Sequence, residues 1–308
     1  MEFINIILPY ILLGISVGGQ YALISIGYTM VYGILRLINF AHGDVFMVAG
    51  LIMIYLSQSL PFYFAMPLAA VIIMAIGFSI ERAAYKPLRS APRMSVMISA
   101  IGVSYLLQSL ALYITGGLTK NYPQIPWISD SITILGVTTK RVTVVTPFLT
   151  AALVIALIIL INHTKMGMAM RAVAKDFETS QLMGIRINNV ISATFAIGSF
   201  LAAIGSVLYF TNYPGVFPTA GAMSGLKAFI AAVFGGIGSI PGAVVGGIII
   251  GLSESMIKGM DTVLIQLGVY SVPLELATFS DAFTFVLLIV ILVFKPTGLF
   301  GEKTTEKV

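Results

Sequence analysis

The sequence predicts an all-α fold, a polytopic transmembrane bundle of about eight to nine helical spans, since each crossing needs roughly 20 mostly apolar residues. Three observations predict it. Hydrophobic residues fill 58% of the 308 positions and charged residues 9%, against about 25% charged in a soluble domain. With 17 basic and 12 acidic residues, the chain cannot clothe a water-facing globule of its size. The basic residues fall in short connectors between apolar runs, the pattern of cytoplasmic loops. The surplus of five positive charges therefore orients the chain in a membrane and does not point to nucleic acid. The absence of cysteine excludes disulfides, thiolate metal sites and cysteine nucleophiles.

Taken in order, the apolar runs place spans near residues 6–34, 43–60, 62–82, 94–115, 146–163, 188–210, 225–238, 240–257 and 280–295. The opening MEFINIILPYILLGI lacks the basic n-region and cleavage site of a secretory signal and is read as part of the first span. The run 225–238 is short and glycine-rich, so a half-span or broken helix is an alternative there. No repeat of fixed period is visible. The chain is read as one transmembrane domain over 1–308, with an external loop near 117–145 and a cytoplasmic loop near 164–187. The external loop carries Pro123, Pro126 and Trp127, then β-branched alternation around Gly136 that predicts a small β-hairpin.

Charge asymmetry gives the orientation. Connector 81–93 holds Arg82, Lys86, Arg89 and Arg93 against Glu81, and His163–Arg186 holds Lys165, Arg171, Lys175 and Arg186, so both are expected in the cytoplasm. Alternation then puts the N-terminus outside and the tail, with Lys295, Lys303 and Lys307, inside. The segment from Glu254 to Asp281, which also carries Lys258, Asp261 and Glu275, is expected outside.

Four patterns carry candidate function. Gly18, Gly19, Gln20 and Tyr21 stand inside the first span, where paired glycines can bend or unwind a helix and the Gln20 amide needs a partner, either along a pathway or as packing glue. In RLINFAHGD, residues 36–44, Arg36, Asn39, His42 and Asp44 crowd one link. A metal site needs three or four ligands, and the other histidine, His163, lies in a different connector. Asn39 and Asp44 are expected to cap the next helix. The run GGIGSIPGAVVGGIIIG, residues 235–251, spaces glycines four apart, which suits close helix packing or a flexible pathway, and Pro241 marks a turn or helix start. Residues 165–191 read as an amphipathic helix of three to four turns ending at Gly184, either floating in headgroups or plugged into a soluble partner.

Three segments in order, residues 18–50, 166–185 (MGMAMRAVAKDFETSQLMGI) and 232–247 (AVFGGIGSIPGAVVGG), resemble LivH-type permeases of branched-chain amino acid importers. The resemblance implies a permease subunit of an ATP-driven importer in a bacterial or archaeal plasma membrane. It implies a second similar permease, two ATP-binding subunits and an extracytoplasmic binding protein as partners. The cargo would be branched-chain or other hydrophobic amino acids, with urea or short amides as the alternative within the family. It assigns coupling to the ATPase to Arg171, Ala174, Asp176, Glu178 and Gly184; the candidate pathway is Gly18, Gly19, Gln20, Tyr21 and Asn39. No cofactor is implied. No GxxxxGK[ST] phosphate loop occurs, so the energy must come from a partner or a gradient. An ion-coupled secondary transporter would carry ionisable residues in mid-span, and the expected spans have almost none, Lys227 standing near the end of a short one. An intramembrane enzyme would need a paired acid, metal or nucleophile set, and none stands out.

Overall fold

In the computed structural model, which describes residues 2–89, 91–134, 136–266 and 275–301, the first helix, α1, runs unbroken over Glu2–Leu35. After it come α2 (His42–Ser57), α3 (Phe62–Ile80) and α4 (Arg93–Thr115), with a π turn at Glu81–Tyr85 and a 3-10 turn at Lys86–Leu88 between the last two. Strands β1 (Lys120–Asn121), β2 (Ser131–Ile134) and β3 (Val137–Lys140) lead into α5 (Arg141–His163), α6 (Lys165–Lys175) and α7 (Phe177–Leu182). Then follow α8 (Ile187–Asn212), β4 (Gly215–Val216), α9 (Ala220–Gly235), α10 (Ile240–Gln266) and α11 (Ser280–Phe294). Lys303 and Lys307 lie outside the described residues.

Seven of these helices are long and apolar enough to cross a membrane, and the chain is a multi-pass helical bundle. The two shorter apolar helices, α2 and α9, have sixteen residues each. At 1.5 Å per residue they reach about 24 Å, less than a hydrocarbon core of about 30 Å. The run 225–238 is thus a short helix, nearer the half-span alternative than a full crossing, but starts at Ala220, and the run expected as a full span at 43–60 is a helix of the same reduced length. Arg36, at φ 54°, ends α1, and the chain re-enters helix only at His42. Apolar composition alone carries no record of that depth. Helix α5 begins at Arg141, earlier than the expected 146, because Val142 and Thr146 are buried in the bundle and tertiary packing overrides the β-preference of the VTVV run.

The bundle is built from two inverted halves. Helix α9 begins as far after α2 as α10 begins after α3 (220 against 42, 240 against 62), an offset of 178 residues. Packing repeats with it: α1 lies on α10 as α8 lies on α3, α9 on α1 as α2 on α8, and α11 on α9 as α4 on α2. Gly198 of α8 faces Gly27 of α1, and Gly205 faces the carbonyl of Gln20, so the two helices are antiparallel and residue pairs exchange under the same offset. The repeat escapes the sequence because side chains have diverged. Between α2 and α9 only Gly43/Gly221 and Ile52/Ile230 coincide.

The predicted hairpin is present. Strands β2 and β3 pair antiparallel with Ile134 opposite Val137, and the turn uses Gly136 at φ 85°, the conformation that tight hairpin turns demand. Strand β1 pairs with β4, tying the loop after α4 to the loop after α8. At the other end of the bundle, residues 295–301 return to α9: the Leu299 N–H donates to the Phe234 carbonyl at 3.0 Å and the Phe300 N–H to Gly235 at 2.9 Å. These bonds satisfy carbonyls that a helix end otherwise leaves open.

Candidate functional site

Helices α2 and α9 meet on the axis that relates the halves. A methyl group placed on Gly43 would sit 2.5 Å from the Gly221 carbonyl oxygen, and one on Gly221 would sit 2.5 Å from the Gly43 carbonyl oxygen. A residue that touches its own counterpart lies on the axis, and here only glycine lets the backbones meet. Gly225 faces Gly43 as well. The neighbouring His42 ring occupies a slot against Gly27 of α1, where a methyl group would overlap its Nε2, and Tyr28 stands edge-on to it at 5.0 Å. From Gly27 to the end of α1 is about 12 Å at helical rise, so this crossing lies well inside the bundle.

The expected caps on α2 do not form. Ala41 occupies the N-cap without a side-chain bond. Asp44 accepts from the Ser104 hydroxyl and, at 3.0 Å, from the Gln108 amide, both on α4. The Asn39 side-chain oxygen accepts from the Tyr85 hydroxyl at 2.7 Å. Side chains at this depth have polar partners across the bundle, and those win over the local turn.

The candidates at 18–21 do not converge on one surface. Gly18 backs onto α10, where a methyl group would sit 2.7 Å from the Ile248 Cα, while Gly19 backs onto Thr150 of α5. The glycines therefore allow close packing, and the helix does not unwind. Gln20 is fully buried, and among the described residues its amide atoms have no hydrogen-bond partner. Tyr21 donates to Glu254 at 2.8 Å. Asn39 lies apart from all four, beside Tyr85.

Tyr21 leads to a group that the spacing of residues did not reveal. Glu254, expected near the end of the span 240–257 and at the start of an external segment, lies well within α10, and its side chain is 4% exposed. Its Oε1 takes Lys227 of α9 at 2.8 Å and Lys258 of α10 at 2.5 Å. Lys227 also reaches Asp281 of α11 at 2.6 Å. Two cations and two anions thus join α9, α10 and α11, and the Tyr21 hydroxyl ties α1 to them. The i,i+4 spacing of Glu254 and Lys258 is the available signal, and the expected span 240–257 ends between the two residues. Among the described residues, no three His, Asp or Glu gather as metal ligands.

At the basic end of the bundle the single amphipathic helix expected over 165–183 is two helices. Asp176 breaks it by capping α7, accepting from the Thr179 N–H at 3.1 Å and the Thr179 hydroxyl at 2.5 Å. These bonds hold its carboxyl below the ordinary carboxylate range. Arg171 turns back onto the end of α5, donating to the Ile161 carbonyl and to Asn162. Ala174 is half-buried, and Glu178 is exposed in the first turn of α7, where the helix dipole favours a negative charge. Gly184, at φ 83°, closes α7: its N–H bonds Gln181 and the Ile185 N–H bonds Ser180, a Schellman pattern. Arg171, Ala174, Asp176, Glu178 and Gly184 are thus all part of one helical pair. Its outward side presents Leu182 and Met183, 88% and 79% exposed. Beside it opens a groove of about 580 Å³ lined by Arg89, Phe177, Gln181, Arg186 and Asn188. Arg89 is fixed there by buried Glu81 and by Asn188 at 2.5 Å.

Residues 10–292 match the family described as branched-chain amino acid transport system, permease component. The chain belongs to this permease family. It is 39% identical to the high-affinity branched-chain amino acid transport system permease protein BraD of Pseudomonas aeruginosa, over 96% of both chains. It is 38% identical to the LivH permease protein of Escherichia coli K12, again over 96% of each, and 28% identical to a probable LivH of Methanocaldococcus jannaschii over 76% of each. Among solved structures, PsaBC from Streptococcus pneumoniae in complex with Fab covers 96% of both chains at 14% identity, with a TM-score of 0.48. The permease thus combines a glycine-lined crossing, a buried ion group and an exposed helical pair at its basic end.

Proposed function

We propose that this permease is the membrane subunit of an ATP-driven importer that moves branched-chain or other hydrophobic amino acids, delivered by an extracytoplasmic binding protein. The observation that carries the reading is the α6–α7 pair: Leu182 and Met183 stand exposed beside Phe177, on a short helix held by its own caps. Large apolar side chains displayed in this way suit docking into a groove on a soluble partner. That partner is an ATP-binding subunit, one under each of two permeases, with the second permease being another copy or a similar chain. The basic end is cytoplasmic, the N-terminus lies outside, and the loop bearing Trp127 and the β2–β3 hairpin faces the binding protein. Identity of 38–39% over nearly the whole length to branched-chain amino acid permeases supports the cargo.

The test is reconstitution. Permease, ATPase and binding protein co-purify after mild solubilisation, and vesicles holding them take up leucine only with ATP and loaded binding protein. Leu182→Glu with Met183→Glu leaves the permease folded but abolishes recovery of the ATPase. Uptake by the permease alone, without any ATPase, sinks the proposal. That outcome would favour an ion-coupled transporter, the reading to which the buried Lys227–Glu254 pair lends weight.

A further inference from the structure

The ion group on α9, α10 and α11 holds more partners than a fixed staple needs. Glu254 is 4% exposed, and a carboxylate so buried is strongly unfavourable without a cation. It has two, Lys227 on α9 and Lys258 one turn along its own helix. Lys227, 9% exposed, likewise has two anions, Glu254 and Asp281. The outer members of the chain of charges are the accessible ones: Lys258 is 43% exposed and Asp281 40%.

This asymmetry has a mechanical meaning. A static link between α9 and α10 is complete with Lys227 and Glu254 alone, and every further ion costs desolvation. The two additions sit where they protect against separation. Lys258 travels with Glu254 on α10 and neutralises it when Lys227 leaves. Asp281, on α11, keeps Lys227 paired when Glu254 is gone. The α9–α10 bond can therefore break with neither buried charge orphaned. Helix α9 is also the element whose Gly221 and Gly225 meet α2 on the axis.

We propose that Lys227 is a positioning residue that lets α9 shift against α10 during transport by exchanging between Glu254 and Asp281, with Lys258 as the stand-in cation on Glu254. The proposal rests on the importer reading. Its test uses the complete complex of permease, ATPase and binding protein in vesicles, with Lys258→Gln. In the resting arrangement Glu254 retains Lys227 and Tyr21, so melting temperature and ATPase recovery stay at wild-type values. Turnover of ATP-driven uptake falls about tenfold, equivalent to ~1.4 kcal/mol on the barrier. The half-saturating concentration of loaded binding protein is unchanged, and Lys258→Arg restores turnover. Pulsed EPR between labels on α9 and α10 reports a distance that differs between nucleotide-free and ATP-trapped complexes.

Wild-type uptake with an unimpaired Lys258→Gln variant overturns this proposal alone. So does a loss of turnover that tracks an equal loss of stability, or an EPR distance that stays constant. A wild-type complex without ATP-driven uptake overturns the importer reading and this proposal with it.

Discussion

Gly43→Ala puts the axial crossing to a direct test. The new methyl group would lie 2.5 Å from the Gly221 carbonyl oxygen and 2.7 Å from the Gly225 Cα. Ordinary contact begins near 3.4 Å, so α2 and α9 must part by about 0.9 Å, and the obstruction is backbone that cannot rotate away. Overpacking of this kind costs about 1–3 kcal/mol. Gly221→Ala meets the mirror-image obstacle, the Gly43 carbonyl at the same distance, and should cost about as much. A single widening of the gap relieves both. The double variant is therefore expected to be less destabilised than the sum of the singles, by roughly 0.5 kcal/mol or more, as for residues in contact. Gly33→Ala is the control: its added methyl group meets nothing within 4 Å, and exchanging glycine for alanine in a helix gains roughly 0.5–1 kcal/mol. Thermal or denaturant unfolding of the reconstituted permease reads all four. Strict additivity, or single variants within about 0.5 kcal/mol of wild type, the range of ordinary surface substitutions, refutes the crossing.

Three further outcomes follow from the same geometry. Tyr21→Phe removes a buried donor to a carboxylate and is expected to destabilise by about 1.5–3 kcal/mol, measured by unfolding; wild-type stability would remove Tyr21 from the ion group. Gly184→Ala forces a side chain into left-handed backbone at φ 83° at a cost of about 1–2 kcal/mol. Because space is open there, the effect should be confined to faster amide exchange over 177–185 and weaker ATPase recovery. Asp176 has a folded-state pKa below its ordinary value of 3.8, so its contribution to α7 is whole above that value and is lost as pH falls through the folded-state pKa. Amide-exchange protection over 177–182 should drop across that window in wild type and stay flat in Asp176→Asn, which keeps a capping oxygen but does not titrate. Identical profiles would rule the cap out as the titrating group.

The parts of the fold legible in sequence were those written in local composition. Long apolar runs gave the spans, β-branched alternation around Gly136 gave the hairpin, and clustered Arg and Lys marked the basic end. Gly184 marks a helix stop, whereas Asp176, which caps the start of α7, falls by sequence inside one continuous helix because its flanks keep helical periodicity. What stayed hidden depends on neighbours far apart in the chain. Glycine at 18 or 43 reads the same whether a helix breaks or another backbone presses on it, and the partners of Gly43 are at 221 and 225. Asn39 and Asp44 are good capping residues by type, yet Tyr85, Ser104 and Gln108 take their oxygens. The ion group draws on four helices, and its key carboxylate stands near the end of an apolar run. The inverted halves share too few side chains for a sequence period to survive.

The hold of residues 299–300 on the end of α9 sets an order on biosynthesis. Those hydrogen bonds run from backbone to backbone, so they ask little of the side chains and everything of the chain's arrival. When α9 leaves the ribosome its final carbonyls have no donor from this segment, and none can come until α10 and α11 have been made and the chain has doubled back. The helix on the axis of the molecule is thus the last to be finished. A truncation before Leu299, or a bulky fusion joined directly at Gly301, would catch the permease with every span inserted and its central helix still open at one end.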